Sequence, residues 1–381
     1  MASNITLSAG VRQNLLSLQN TAALMATTQN RLATGKKVNS ALDNPTNFFT
    51  STALQSRASD MSALLDGMSN GIKTLEAADN GLSAITKTVE QMQSTLRQAR
   101  QDKSFATSSY TIDAAATGNL SISGGAVGDT AIDIALTATV GEDTVVKTVD
   151  QLIGAINSNA DLKGKVRASN DNGKLRIENL STNELTLTGA GTGGAIDGST
   201  SEATIAGNDV RKNLVKQFNE LRDQLDKLSD DASINGVNLL RGDKLKITFN
   251  ETGSSTMEIQ AKTASGQATS INADELGITL AENADFNSDA GIDTKLDSLQ
   301  SALNRLRSHA SAFGSNLSIV QNRQDFTKAM INTLQTGADN LVLADSNEEG
   351  ANLLALQTRQ QLSTTALSLS AQADQAVLRL F

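Results

Sequence analysis

The chain is 381 residues long, with 32 basic and 41 acidic side chains (net charge −9), nine Phe, one Tyr, one Pro, one His and no Cys or Trp. The lack of cysteine excludes disulfide frameworks, thiolate zinc sites and Cys nucleophiles, and a lone histidine, His309, excludes HExxH and two-His metal sites. An acidic balance without a basic cluster argues against nucleic acid, and the apolar runs are too short for a transmembrane helix.

The first 30 residues hold one charged side chain, Arg12, and no apolar core followed by a small-residue cleavage site. No cleaved signal peptide is expected. By that criterion alone the protein is cytosolic, although some export routes read an uncleaved, unfolded N-terminus.

Val11, Leu15, Leu18, Ala22, Met25, Gln29 and Leu32 recur at steps of four and three, which predicts an apolar stripe along a helix. Gly35 is placed to end it, next to Arg31, Lys36 and Lys37. Asn44 and Pro45 then suit the cap and first position of a second helix. Its seam runs through Met61, Leu65, Met68, Ile72, Leu75, Asp79, Leu82, Ile85, Val89, Met92 and Leu96 to about Lys103.

Residues 105–207 differ abruptly: 14 of the 28 glycines fall there, with dense Thr, Ser and Ala and no other Phe after Phe105. Alternating segments around Asn170-Asp171-Asn172-Gly173 predict a hairpin, and Val149, Leu152, Ile153 and Ile156 a short helix, within a small β-rich insert. Beyond it, Leu214, Phe218, Leu221, Leu225 and Leu228 predict an amphipathic helix, and Leu245–Phe249 with Thr256–Gln260 a second hairpin.

The longest seam runs from Ile292 through Leu296, Leu299, Leu303, Leu306, Ala310, Phe313, Leu317, Val320, Gln324, Thr327, Ile331, Leu334 and Ala338 to Leu341. At 1.5 Å per residue such a helix extends roughly 75 Å and calls for a coiled-coil partner, which the 46–103 helix can supply. The tail from Ala351 has charges only at Arg359, Asp374 and Arg379. Leu362, Ala366, Leu369, Ala373, Ala376 and Leu380 form one seam, and Leu353, Leu356, Leu367, Val377 and Phe381 a second, rotated face. A helix apolar on two faces requires two neighbours. Either both chain ends join in a four-helix domain, or they stay loose in the monomer and are buried only on assembly; the second is favoured.

Gly189-Ala190-Gly191-Thr192-Gly193-Gly194 lacks the Lys-Ser/Thr pair and helix start of a phosphate loop and reads as a turn. His309, inside the long seam, has no nucleophile or second His beside it and reads as structural. No carboxylate pair is placed for acid–base work, so neither an enzyme nor a cofactor is expected. Long helices, low-charge ends and a central insert suit a subunit that polymerises head to tail.

At this point the residues resemble bacterial flagellins over about residues 1–105 and 208–381. Arg31-Leu32-Ala33-Thr34-Gly35-Lys36-Lys37-Val38-Asn39-Ser40-Ala41-Leu42-Asp43-Asn44 resembles the family's RLSSGxRINSAxDD segment. Asn70-Gly71-Ile72 with Leu75 resembles its NDGIS-type segment, and Ile234-Asn235-Gly236-Val237-Asn238-Leu239-Leu240 its FNGxxLL loop. The run from Leu362 to Phe381 is similar to its apolar C-terminus, and Val149–Ser158 resembles the "IN" module of hook and filament proteins.

The resemblance implies an α+β fold: long antiparallel coiled-coil helices from both chain ends forming a rod, one core β-hairpin, and a small β-rich inserted outer domain. Residues 1–44 and 345–381 would form the inner helical core, 45–105 and 208–344 the helical tube with its hairpin, and 106–207 the outer domain. Val11, Leu15, Leu18, Ala22, Met25 and Leu32, with Leu362, Ala366, Leu369, Ala373, Ala376 and Leu380, would then pack between subunits. Export unfolded through the flagellar type III apparatus is implied, with a chaperone on the C-terminus and hook-associated and cap proteins as further partners. No nucleic acid or membrane partner is expected. Where flagellins sensed by Toll-like receptor five carry an Arg-rich LQRVREL segment, this chain has Val89-Glu90-Gln91-Met92-Gln93-Ser94-Thr95, which implies weak or absent recognition. The alternative in the same class is the hook–filament junction protein. A protease-bearing flagellin would need HExxH, and a coiled-coil adhesin would need a signal peptide or anchor.

Overall fold

The computed structural model describes residues 9–191 and 193–378. Six α-helices are present: α1 Ala9–Thr34, α2 Pro45–Gln101, α3 Val149–Ser158, α4 Asp209–Asp231, α5 Asp289–Val342 and α6 Ser346–Leu378. Between α2 and α4 lie β1 Ala106–Ile112, β2 Asn119–Gly124, β3 Gly128–Ala135, β4 Thr137–Val140, β5 Asp143–Val146, β6 Val166–Asp171, β7 Lys174–Asn179, β8 Leu185–Thr188, β9 Ala195–Ile196 and β10 Glu202–Ile205. β11 Leu245–Thr248 and β12 Thr256–Ile259 pair between α4 and α5. The fold is thus terminal helices, one hairpin between helices and a β-rich insert, as the sequence implies.

The described residues divide into two units, 9–69 with 247–257 and 321–378, and 70–191 and 193–246 with 258–320. In the first, Ala58 and Met61 of α2 are buried with Ile331 and Leu334 of α5, flanked by Leu54, Leu65 and Met330. Asn44 Oδ1 accepts from the Asn47 amide at 3.1 Å, so Asn44 and Pro45 open α2 as expected. The hairpin turn is held to the same helices: Glu251 pairs with Arg57 at 2.6 Å, and the Arg323 guanidinium lies 5.6 Å from the Phe249 ring centroid.

In the second unit the α2 seam is buried through Ile72, Leu75, Leu82, Ile85, Val89, Met92 and Leu96. Asp79 is exposed and Ala78 takes its place, because a carboxylate there would lose hydration without a partner. The start of α5 lies beside the end of α2, with Arg100 paired to Asp293 at 2.9 Å. On α4 the buried face runs through Arg211, Val215, Phe218, Arg222, Leu225 and Ser229. Leu214, Leu221 and Leu228 are only half-buried, since the buried face is rotated to include Arg211 and Arg222 beside Phe218 and Leu225.

Arg211 is fully buried. Its guanidinium donates to the Phe286 carbonyl (2.9 Å), the Asp102 carbonyl (3.2 Å) and the Asp289 carboxylate (3.0 Å), and lies 5.2 Å from the Phe105 ring centroid. It thereby joins the end of α2, the start of α4 and the start of α5 where the chain enters and leaves the insert.

The insert forms two four-stranded sheets, ordered β6-β7-β1-β9 and β10-β8-β2-β3, and a two-stranded β4-β5 ribbon. Leu120, Ile122, Leu175, Ile177, Leu185 and Leu187 alternate inward into its core with Leu152 and Ile156 of α3. The expected hairpin is β6-β7, whose turn residues Asn172 and Gly173 both have positive φ. Thr148 and Gln151 form a capping box at the start of α3. Asn157, within the "IN" segment, donates to the Ala168 carbonyl and accepts from the Ala168 amide, both at 2.9 Å, so α3 closes onto β6.

Candidate assembly surface

The two terminal helices, expected to be loose in the monomer, pack on each other. α1 packs on α6 within the chain, in antiparallel sense: Asn14 Nδ2 donates to Ser370 Oγ at 3.0 Å, and Arg31 pairs with Glu349 at 3.1 Å. On α1 the shared face runs through Val11, Asn14, Leu18, Thr21, Met25, Thr28 and Arg31, with Val11, Thr21 and Thr28 buried. On α6 it runs through Glu349, Leu353, Leu356, Gln360, Ser363, Leu367 and Ser370.

The α1 stripe read from apolar spacing is therefore rotated. Val11 is buried and Leu18 and Met25 half-buried against α6, whereas Leu15, Ala22 and Leu32 face out. Threonine can occupy the inner face because its hydroxyl is satisfied by its own helix: Thr21 Oγ1 donates to the Ser17 carbonyl at 2.8 Å. Apolar spacing alone cannot find Thr21 and Thr28, although both continue the three-four step from Val11.

The two expected faces of the C-terminal helix can be followed as far as Ala376; the side chains of Val377 and Phe381, expected on the second face, lie outside the described residues. The face of Leu353, Leu356 and Leu367 meets α1, while Leu362, Ala366, Leu369, Ala373 and Ala376 point away from it, Leu362 at 66% and Leu369 at 61% exposure. Leu380 lies outside the described residues. With Leu16, Leu24 and Leu354 also exposed, each helix of the pair has an apolar outer side. A monomeric solute rarely keeps such a surface uncovered.

The motif residues 31–43 make the turn from α1 to α2. Gly35 has φ +67°, a left-handed helix end that costs a residue with a Cβ. Its carbonyl accepts from Ala344 at 2.9 Å, and the Val342 carbonyl accepts from the amides of Lys37 (2.7 Å) and Val38 (3.3 Å), so the turn is sewn to the end of α5. The Asp43 carboxylate accepts from the Asn39 amide, the Ser40 amide (both 2.9 Å) and Ser40 Oγ (3.2 Å). Those amides, Asn39 first, hold its pKa below the ordinary carboxylate value. Asn39 Nδ2 in turn donates to the Lys36 carbonyl at 3.0 Å, and Ala41 is half-buried.

The second motif also closes a turn. Asn235 and Gly236 have φ +49° and +81°, between bridged Ile234 and Val237. Asn238 donates to the Ser229 and Asp230 carbonyls at the end of α4 and caps a 3-10 turn, Leu239–Arg241. Leu239 and Leu240 are fully buried, and Gly81 of α2 leaves room for Leu240, since a Cβ there would stand 2.7 Å from Leu240 Cδ1.

His309 lines an open cavity of about 500 Å³ with Lys262, Thr263, Thr269, Glu275 and Arg305. Burial and the nearby Arg305 charge lower its pKa from 6.5. No helix among the described residues is long and apolar enough to cross a membrane.

Paired terminal helices, closed on one side and open on the other, with a hydrogen-bonded turn leading from α1 into α2, suit a structural subunit of an assembly. Residues 8–120 match the bacterial flagellin N-terminal helical region, and residues 296–381 the bacterial flagellin C-terminal helical region. The chain is similar to flagellin FljK of Caulobacter vibrioides, at 31% identity over 192 residues, 48% of this chain and 67% of that one. It is similar to flagellin FljN of the same organism at 31% over 193 residues, again 48% and 67%. Flagellin A of Rhizobium meliloti aligns over 400 residues, 96% of each chain, at 26% identity. The chain belongs to the bacterial flagellins. It is a structural subunit of the flagellar filament, which lies outside the cell.

Proposed function

We propose that this chain is a filament-forming flagellin, not the hook–filament junction protein, and that it elongates the filament by head-to-tail addition of identical copies. The observation that carries this is the outward apolar side of the α1–α6 pair, with Leu24, Leu354, Leu362 and Leu369 all more than half exposed. Residues 1–44 and 345–381 form the inner helical core of the polymer, residues 45–105 and 208–344 the surrounding tube, and residues 106–207 the outer domain. Leu15, Ala22, Leu32, Leu362, Ala366, Leu369, Ala373 and Ala376 then pack between subunits, while Val11, Leu18 and Met25 chiefly hold α1 on α6.

The chain travels unfolded through the flagellar type III apparatus, with a chaperone on its apolar C-terminus, and meets hook-associated and cap proteins at the filament ends. Recognition by Toll-like receptor five is weak or absent: the exposed positions of the 89–95 stretch are Glu90, Gln91 and Ser94, with no arginine. Seeded growth tests the proposal. Purified monomer added to short filament fragments is expected to lengthen them without limit; a protein that only caps fragment ends would indicate the junction protein instead.

A further inference from the structure

Leu42 is 96% exposed, although hydrogen bonds fix the turn that carries it. Asp43 fixes the backbone of Asn39 and Ser40, Ser40 Oγ accepts from the Leu42 amide at 3.3 Å, and the Asp43 amide donates to the Ser40 carbonyl at 3.1 Å. Buried Val38 and its amide bond to Val342 anchor the other side. Four residues thus hold one leucine fully in water.

Other apolar side chains are open around the same crossing of the chain. Leu343 is 45% exposed and follows Val342, the acceptor of the turn; Phe49, 63% exposed, lies in the opening turns of α2 with its ring 5.6 Å from that of Phe48; and Leu32 ends the outer side of α1. Asn39, Ser40 and Asp43 form the clamp, and this chain uses it to present an apolar tip.

We propose that Leu42 is a preorganised knob that inserts into an apolar site on a second copy of this chain. The occupant is a second copy because the turn that carries Leu42 leads directly on from the exposed outer side of α1, which ends at Leu32, and because every subunit of the filament carries both the knob and the same open surface. Ordering cost is small, since the turn is already fixed in the monomer. This contact rests on the filament-forming role proposed above.

The test is the critical concentration for seeded growth of wild type, Leu42→Ser and Leu42→Met. Leu42→Ser is expected to keep the wild-type circular dichroism and melting temperature, because the side chain touches almost nothing in the monomer. Its critical concentration should rise about tenfold or more, the equilibrium change expected for leaving a leucine unburied. Leu42→Met should assemble close to wild type. Wild-type growth by Leu42→Ser would overturn the knob while leaving the filament role intact. Wild-type monomer that ignores seeds would overturn the filament role, and this contact with it.

Discussion

Arg31 and Glu349 meet at 3.1 Å on the inner side of the α1–α6 pair, and the second carboxylate oxygen of Glu349 is buried with no hydrogen-bond partner among the described residues. Glu349 also sits in the first turn of α6, where the helix dipole favours a negative charge. Arg31→Ala would leave that carboxylate buried and uncompensated. It should weaken the helix pair by about 1–3 kcal/mol, read as faster amide exchange in α1 and α6. The double variant Arg31→Met with Glu349→Leu should recover most of the loss, because replacing both members of a pair by apolar groups is close to neutral.

Arg211→Lys should not rescue the loss seen in Arg211→Met. The guanidinium fork reaches two carbonyls and one carboxylate at once, which a single ammonium cannot reproduce. Either variant should lose about 3–5 kcal/mol in denaturant unfolding of the α4-containing unit. Equal stability of the lysine variant and wild type would contradict that role.

Leu240→Ala should cost about 2–5 kcal/mol, since Leu240 is fully buried. Gly81→Val should be at least as damaging, because even a Cβ at position 81 would stand 2.7 Å from both Leu240 Cδ1 and Ala232 Cβ. Leu240→Met, which conserves volume, should lose less than about 1.5 kcal/mol. Thermal unfolding of the three variants checks the order.

Stability should fall as pH drops through the histidine range. His309 has a folded pKa below its ordinary 6.5, so the unfolded chain binds more protons just below that value and protonation favours unfolding. The loss begins near pH 6.5, levels off below the folded pKa, and disappears in His309→Gln. Lys262, Glu275 and Arg305 line the same cavity. A second loss is expected below about pH 4, where Asp43, Asp102 and Asp289 become protonated. Burial raises the last two, but hydrogen bonds outweigh it: Ser104 and Asn208 on Asp102, Lys103 and Arg211 on Asp289.

The long helices were legible because their seams repeat over many turns: Met61 to Leu96 and Ile292 to Leu341 are buried or half-buried almost throughout. Asn44-Pro45, Asn172-Gly173 and Asn235-Gly236 were legible because each encodes a local backbone shape. Rotation about a helix axis was not. On α1 and α4 the inner face includes Thr21, Thr28, Arg211 and Arg222: the Thr21 hydroxyl is satisfied within its own helix, and the two arginines by partners that only the fold brings together. Most insert strands escaped for a related reason: β2, β8 and β10 are short, Thr- and Ser-rich, and owe their order to non-local pairing. Leu42 has no signature at all, since its exposure depends on how the surrounding turn folds.

The central claim is that the outer side of the terminal helix pair is covered only by other copies of the chain. Helical reconstruction of the assembled filament by electron cryo-microscopy measures this directly. Leu24, Leu354, Leu362 and Leu369 are expected to be buried against neighbouring subunits. A filament in which these leucines still face open water would contradict it.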